Sequence, residues 1–186
     1  MRIAVYSGTF NPLHIGHLAI MEYLTESMDF NMVYLVVSPQ SPFKRYMDVM
    51  SGQERFNAAV NALSRHPELR AKAIDIELHM PAPQYTIRTL DALRQKENGN
   101  VFTLVMGADN LQEIRRWRDY RRILTEYGVA VYPREGSDME VMKQDLLKES
   151  RDYRITLMTH APVVNISSTM IREGIARGED MSSFLM

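Results

Sequence analysis

The sequence contains no cysteine. Disulfides, thiolate catalysis and sulfur-based zinc sites are therefore excluded, and a reducing cytosolic compartment is permitted. Long apolar runs are also missing. No stretch approaches the roughly 18 apolar residues that a membrane-spanning helix requires, and the opening residues, Met1 to Ser7, carry no extended apolar leader. A soluble cytoplasmic protein without a membrane partner is the expectation. Excess charge of one sign is lacking too. A net charge of -1 provides no global field to recruit nucleic acid or an acidic membrane. Any anionic ligand must then be held by locally placed cations and backbone N–H groups. With no internal repeat, linker or low-complexity tract, 186 residues suit a single domain spanning 1–186.

Apolar residues make up 45% and charged residues 24%, the balance of a globular protein, and the 14 methionines read as core filler. Strand-like apolar runs at 2–7, 33–38, 72–78, 101–106, 128–132 and 154–158 alternate with helical patterns. The first helix runs over 14–28, with Leu18, Met21, Leu24 and Met28 at helical spacing. Ser51 and Glu54 form a capping-box pattern for a helix to about 64. Thr86 can cap a helix ending near 97, and another helix falls between Ser137 and Ser150. Ser168 can cap a last helix that runs to Arg177 and stops at Gly178. This alternation predicts an α/β fold, a mainly parallel sheet flanked by helices. Ligands of such sheets sit beyond the carboxyl ends of the strands, where the strand order switches.

The stretch "GTFNPLHIGHLAI", from Gly8 to Ile20, follows the first strand and so lies at that end. It places His14 and His17 at the start of a helix behind a glycine-bearing loop. Three readings compete. The helix N-terminus, with its free N–H groups and partial positive charge, suits phosphate, Gly8 would let backbone approach it closely, and the two imidazoles would donate hydrogen bonds. A metal site would use His-x-x-His as two ligands, but no third ligand is evident and the glutamate of a zincin helix is missing. A structural role would have both rings bonded to loop carbonyls.

The segment His14-Ile15-Gly16-His17 also matches the signature of the nucleotidyltransferase superfamily. Class I aminoacyl-tRNA synthetases share it, but the chain lacks their second signature loop and a basic surface for tRNA. Five further blocks follow in order: "SPQSPFK" ending at Lys44, "QYTIRTL" with Tyr85 and Thr86, "GADNLQEIRRW" with Gly107, Asp109 and Trp117, "YPREG" with Arg134, and "ISSTMIR" with Ser168 and Arg172. Together they cover nearly the whole chain. They resemble the bacterial nicotinate-nucleotide adenylyltransferases, which have a Rossmann-like nucleotidyltransferase fold. Asn11 stands where that family usually has Asp, Ser7 in place of its first Gly, and Glu135 in place of a Pro.

The resemblance implies transfer of AMP from ATP to nicotinate mononucleotide, giving deamido-NAD and pyrophosphate, with ATP and the mononucleotide as the partners. It implies His14, His17, Lys44 and Arg172 as catalytic groups. ATP would be bound by these four together with Ser7, Gly8, Thr9, Phe10, Gly107, Asp109, Arg134, Ile166 and Ser168. The acceptor would be bound by Tyr85, Thr86, Asp109 and Trp117, the indole stacking on the pyridine ring. Mg²⁺ would ride on the ATP phosphates, with no metal ligand from the chain. The nucleophile is already a phosphate dianion and needs no general base, so catalysis would be positioning plus charge stabilisation at the α-phosphorus. Phosphopantetheine adenylyltransferase shares the His-x-Gly-His and Ser-Ser-Thr motifs but lacks the Tyr-Thr and Asp…Trp blocks. A non-catalytic nucleotide-binding module would have no need to keep both histidines, Lys44 and Arg172. The five arginines of "RRWRDYRR" (115–122) read as a solvated helix face rather than a nucleic-acid patch, because Glu113 and Asp119 interrupt them.

Overall fold

A computed structural model describes residues 1–39 and 50–186. Lys44 and most of its proline-bearing loop lie outside the described residues. The central element is β1, Arg2–Gly8, in which Ile3, Ala4 and Val5 are fully buried. A strand apolar on both faces must be covered on both faces, which is the condition for a parallel sheet. Alternate residues go opposite ways: Ile3 and Val5 join one core cluster, Ala4 and Tyr6 the other. β2 (Met32–Val37) and β4 (Val101–Gly107) pair on either side of β1. β3 (Ala71–Ile74), β5 (Val129–Tyr132) and β6 (Ile155–Leu157) complete a six-stranded, all-parallel sheet in the order β3-β2-β1-β4-β5-β6. The order reverses between β1 and β4, so the switch point falls at the carboxyl ends of those two strands.

Helices α1 (Ile15–Glu26) and α2 (Gly52–Ser64) lie over the cluster built on Ala4, Leu35 and Met21. α3 (Thr86–Lys96), the short α4 (Ala108–Gln112) and α6 (Met139–Leu147) lie over the other face, where Leu90, Leu104 and Leu111 are buried. α5 (Tyr120–Arg122) continues into a single π-helical stretch, Ile123–Tyr127, before β5. α7, Ser168–Ala176, is the last α-helix.

Three local expectations need correction. The strand over 72–78 stops at Ile74, and Ile76–His79 form a 3₁₀ turn. β3 is an edge strand, and Glu77 is turned inward at 5% exposure, where its carboxylate accepts from Thr89 Oγ1 of α3 at 2.8 Å. Satisfying that buried group overrides the strand pattern. Thr86 is the first residue of α3 rather than its cap: Tyr85 holds the cap position and makes no side-chain cap bond. Ser167, not Ser168, caps α7, its side chain accepting from the Met170 N–H at 3.2 Å. In both helices the shift is one residue.

Candidate active site

His14 is the N-cap of α1, with extended backbone at φ -143° and ψ 174°. Its Nδ1 accepts from the Gly16 N–H at 3.0 Å. His17, three residues on, returns the interaction: its Nδ1 accepts from the His14 N–H at 3.1 Å. Two histidines thus perform the reciprocal cap usually made by Ser or Thr with Glu. Their rings lie 3.7 Å apart, centroid to centroid, tilted by 30°. Gly16 is required by this packing, because a Cβ there would meet His14 ring atoms at 2.8 and 2.9 Å. The structural reading foresaw backbone bonding but named the wrong partner: the rings accept from N–H groups rather than donate to carbonyls.

That distinction assigns the protons. A neutral imidazole whose Nδ1 accepts carries its hydrogen on Nε2. Burial, helped by Arg134, pulls His14 down to about 4. His17 is held well below its usual value by burial, then by His14 and Arg134. Both rings are therefore neutral at pH 7, each with one Nε2–H left to donate, and neither finds an Nε2 partner among the described residues.

Both rings line a cavity of about 870 Å³ at the switch point. Tyr6 of β1, Asp109 after β4, and Tyr132 and Arg134 at the end of β5 line it too, and the far wall is Pro162–Ser168 with Met170. Arg134 lies 3.7 Å from Asp109 and 5.2 Å above the Tyr132 ring. Asp109, Arg134, Ile166 and Ser168 thus join the two histidines on one wall system. Tyr6 and Tyr132, whose ring centroids lie 6.0 Å apart, were not legible as site residues because they read as strand core.

Other expected side chains are spent on the loop ahead of α1 or are absent from that wall. Ser168 Oγ donates to the Pro12 carbonyl at 2.8 Å, and Arg172 Nη1 donates to the Asn11 carbonyl at 2.6 Å. The last motif therefore fastens α7 to the loop ahead of α1, and Arg172 does not reach the cavity wall. Gly8, Thr9 and Phe10 are not among the residues that line it, Gly107 ends β4, and the Ser7 hydroxyl is buried without a hydrogen-bond partner among the described residues. Tyr85 and the Trp117 segment meet elsewhere: the Arg118 guanidinium sits 5.4 Å over the Tyr85 ring, and Trp117 is half-buried against the core cluster of β4 and α4. They and Thr86 lie off the wall of the 870 Å³ cavity, on the α3 side.

The arginine run is largely neutralised. Arg115 pairs with Asp145 and Glu149, Arg116 with Glu113, and Arg122 with Asp91 and Glu126. No three His, Asp or Glu side chains converge on a metal-sized point among the described residues. No helix is long and apolar enough to cross a membrane among the described residues.

Comparison with known proteins places the chain in a family. Residues 5–174 match the cytidylyltransferase-like family model. A probable nicotinate-nucleotide adenylyltransferase of Flavobacterium johnsoniae is 35% identical over 185 residues, covering 100% of this chain and 92% of the relative. The chain belongs to the nicotinate-nucleotide adenylyltransferase family. A second relative of the same name, from Bacteroides fragilis, is 36% identical across 99% of this chain and 87% of its own length. Among solved structures, the Plasmodium falciparum nicotinic acid mononucleotide adenylyltransferase complexed with NaAD superposes with a TM-score of 0.77, covering 97% of this chain and 87% of that one. Its sequence identity is 16%, so the likeness is one of fold. The expected Rossmann-like nucleotidyltransferase fold is the one observed.

Proposed function

We propose that the cavity above the histidine cap is the triphosphate site of an enzyme that transfers AMP from ATP to nicotinate mononucleotide. A 5′-phosphate oxygen of the acceptor attacks the α-phosphorus. The new P–O bond forms as the bond to the β-phosphate oxygen breaks, and pyrophosphate leaves with the electron pair. The products are deamido-NAD and pyrophosphate, and the activity belongs to NAD biosynthesis.

The observation that carries this reading is the pair of Nε2–H donors held at the switch point by their own helix cap. A neutral donor aimed where charge develops contributes most when it is already in place and shielded from water. The reciprocal cap supplies that pre-organisation: each ring is fixed through Nδ1, so no rotation is needed as the equatorial oxygens gain charge. Arg134 and the turn at Ser167–Ser168 are assigned to the phosphates and the nucleotide rim, as is Lys44. Arg172 acts on the phosphates through the Asn11 carbonyl it holds. Tyr85, Thr86, Asp109 and Trp117 are assigned to the acceptor, Trp117 stacking on the pyridine ring. Mg²⁺ fits this site as a passenger on ATP, keeping mostly water ligands, and supplies neutralisation of phosphate charge. The partners are the two nucleotides, with no nucleic acid and no membrane, and the compartment is the cytoplasm. The paired arginines 115, 116 and 122 support the first exclusion.

The test is pyrophosphate release from ATP with a panel of acceptors: nicotinate mononucleotide, nicotinamide mononucleotide, phosphopantetheine and glycerol phosphate. Turnover with a pyridine mononucleotide is the expected result. Turnover with phosphopantetheine or glycerol phosphate alone, or with none of the four, would overturn the reading.

A further inference from the structure

We propose that Arg55 is a positioning residue for His17, acting through the Thr9–Phe10 peptide. The inference rests on His17 serving the phosphates as described above. Arg55 lies on α2, 38 residues from His17 in sequence, yet its side chain is 1% exposed. Its donors are taken by carbonyls of three separate segments: Nη1 reaches Thr9 and Ser38, both at 2.7 Å, and Nε reaches Met50 at 3.2 Å. A rigid, planar fork can hold such a set at once, whereas a lysine ammonium is a single point of charge.

The Thr9 carbonyl belongs to the peptide unit entering Phe10, and Phe10 has φ +47°, in the left-handed region. A bulky side chain stays there only when its surroundings over-determine it. Arg55 grips the peptide from one side, and the Phe10 ring is wedged on the other. That ring packs 5.4 Å from Tyr6 and 5.1 Å from His17, at 81° and 84°. It also fills the space beside Gly8, where an added Cβ would meet Phe10 Cε1 and Cζ at 3.0 Å. Glycine at position 8 therefore makes room for this ring.

The path is continuous: guanidinium, Thr9 carbonyl, strained Phe10, imidazole of His17. Loss of the Thr9 bond frees the peptide to relax out of the left-handed region and draws the Phe10 ring away. His17 then keeps its Nδ1 bond but loses the wall that fixes the direction of Nε2. Arg55 touches no substrate in this account. Its effect is on where the His17 donor points.

Four variants test this: Arg55→Lys, Phe10→Leu, the double variant, and His17→Ala. kcat and KM are measured for ATP and nicotinate mononucleotide below each variant's own melting transition. A misplacement of about 1 Å can cost on the order of 10²-fold in rate, so each single change is expected to lower kcat about 10- to 100-fold with much smaller changes in either KM. Because both act along one path, the double variant should lose about as much as the worse single, not the product of the two. A folded Arg55→Lys with unchanged kcat, or losses that multiply, would overturn the proposal and leave Arg55 a staple of the fold. Should Arg55→Lys not fold, Phe10→Leu decides: wild-type kcat in that variant breaks the path. His17→Ala separates the two levels. If it turns over normally, the phosphate role of His17 fails; if it is inactive while Phe10→Leu and Arg55→Lys are not, the positioning role alone fails.

Discussion

Exchanging His14 for asparagine measures how firmly the site holds its imidazoles neutral. In the folded protein burial pulls His14 down to about 4 from an ordinary value of 6.5. As pH falls, the unfolded chain takes up this proton first, so stability present above about pH 6.5 is lost between there and pH 4. The whole gap is worth about 3 kcal/mol, and the interval from pH 7 to pH 5 accounts for about 2 kcal/mol of it. Asparagine is among the best helix caps and does not titrate. It also removes one of the causes that hold His17 down, which reduces acid sensitivity further. Urea unfolding followed by far-UV circular dichroism at pH 7, 6 and 5 reads the difference. The wild-type protein should lose about 2 kcal/mol more than His14→Asn over that range. Parallel losses in the two proteins would mean that His14 is not held neutral. The assignment of its proton to Nε2, and with it the picture of two uncharged donors, would fall.

Two further outcomes follow from the site. Trp117 is the only indole in the chain, so its fluorescence should change when nicotinate mononucleotide is added. Trp117→Ala should raise acceptor KM far more than ATP KM while also lowering stability, because the ring is partly packed on the core; no spectral change at saturating acceptor would remove it from the site. Arg172→Ala releases the Asn11 carbonyl and, with one charge-assisted bond worth about 1.5–3 kcal/mol, should raise ATP KM at least about tenfold without altering the choice between acceptors. A lowered melting temperature with unchanged ATP kinetics would reduce Arg172 to a latch.

Most of the sheet was legible because its strands are buried on both faces and read as apolar runs; β1 and β4 are the clearest cases. The edge strand β3 was overdrawn, since Ile76 and Leu78 continue the apolar pattern and nothing local reveals that Glu77 turns in to meet Thr89. The cap of α7 slipped by one residue because Ser167 and Ser168 offer the same hydroxyl, and only the distant Pro12 carbonyl decides which one is spent on the loop. His14, His17, Asp109, Arg134, Ile166 and Ser168 do come together. Arg55 was read merely as part of a helix: its partners lie 46, 17 and 5 residues away, a separation no periodicity reports. Tyr6 and Tyr132 were hidden for a simpler reason, that a strand end facing a cavity has the same composition as a strand end facing the core.

The mutual cap has a consequence for lineages. His14, Gly16 and His17 form one mechanical unit, each ring holding a backbone N–H and the glycine making way for the first ring. A descendant that had given up turnover would still be under pressure to retain all three, since each imidazole holds a backbone N–H at the start of α1 and losing such a cap costs about 1 kcal/mol. The four-letter signature is therefore inherited for two reasons at once. Its survival in a distant sequence attests to the helix start before it attests to the chemistry, and a dead enzyme of this kind would show its death first at a position such as Arg134, half-exposed on the cavity wall.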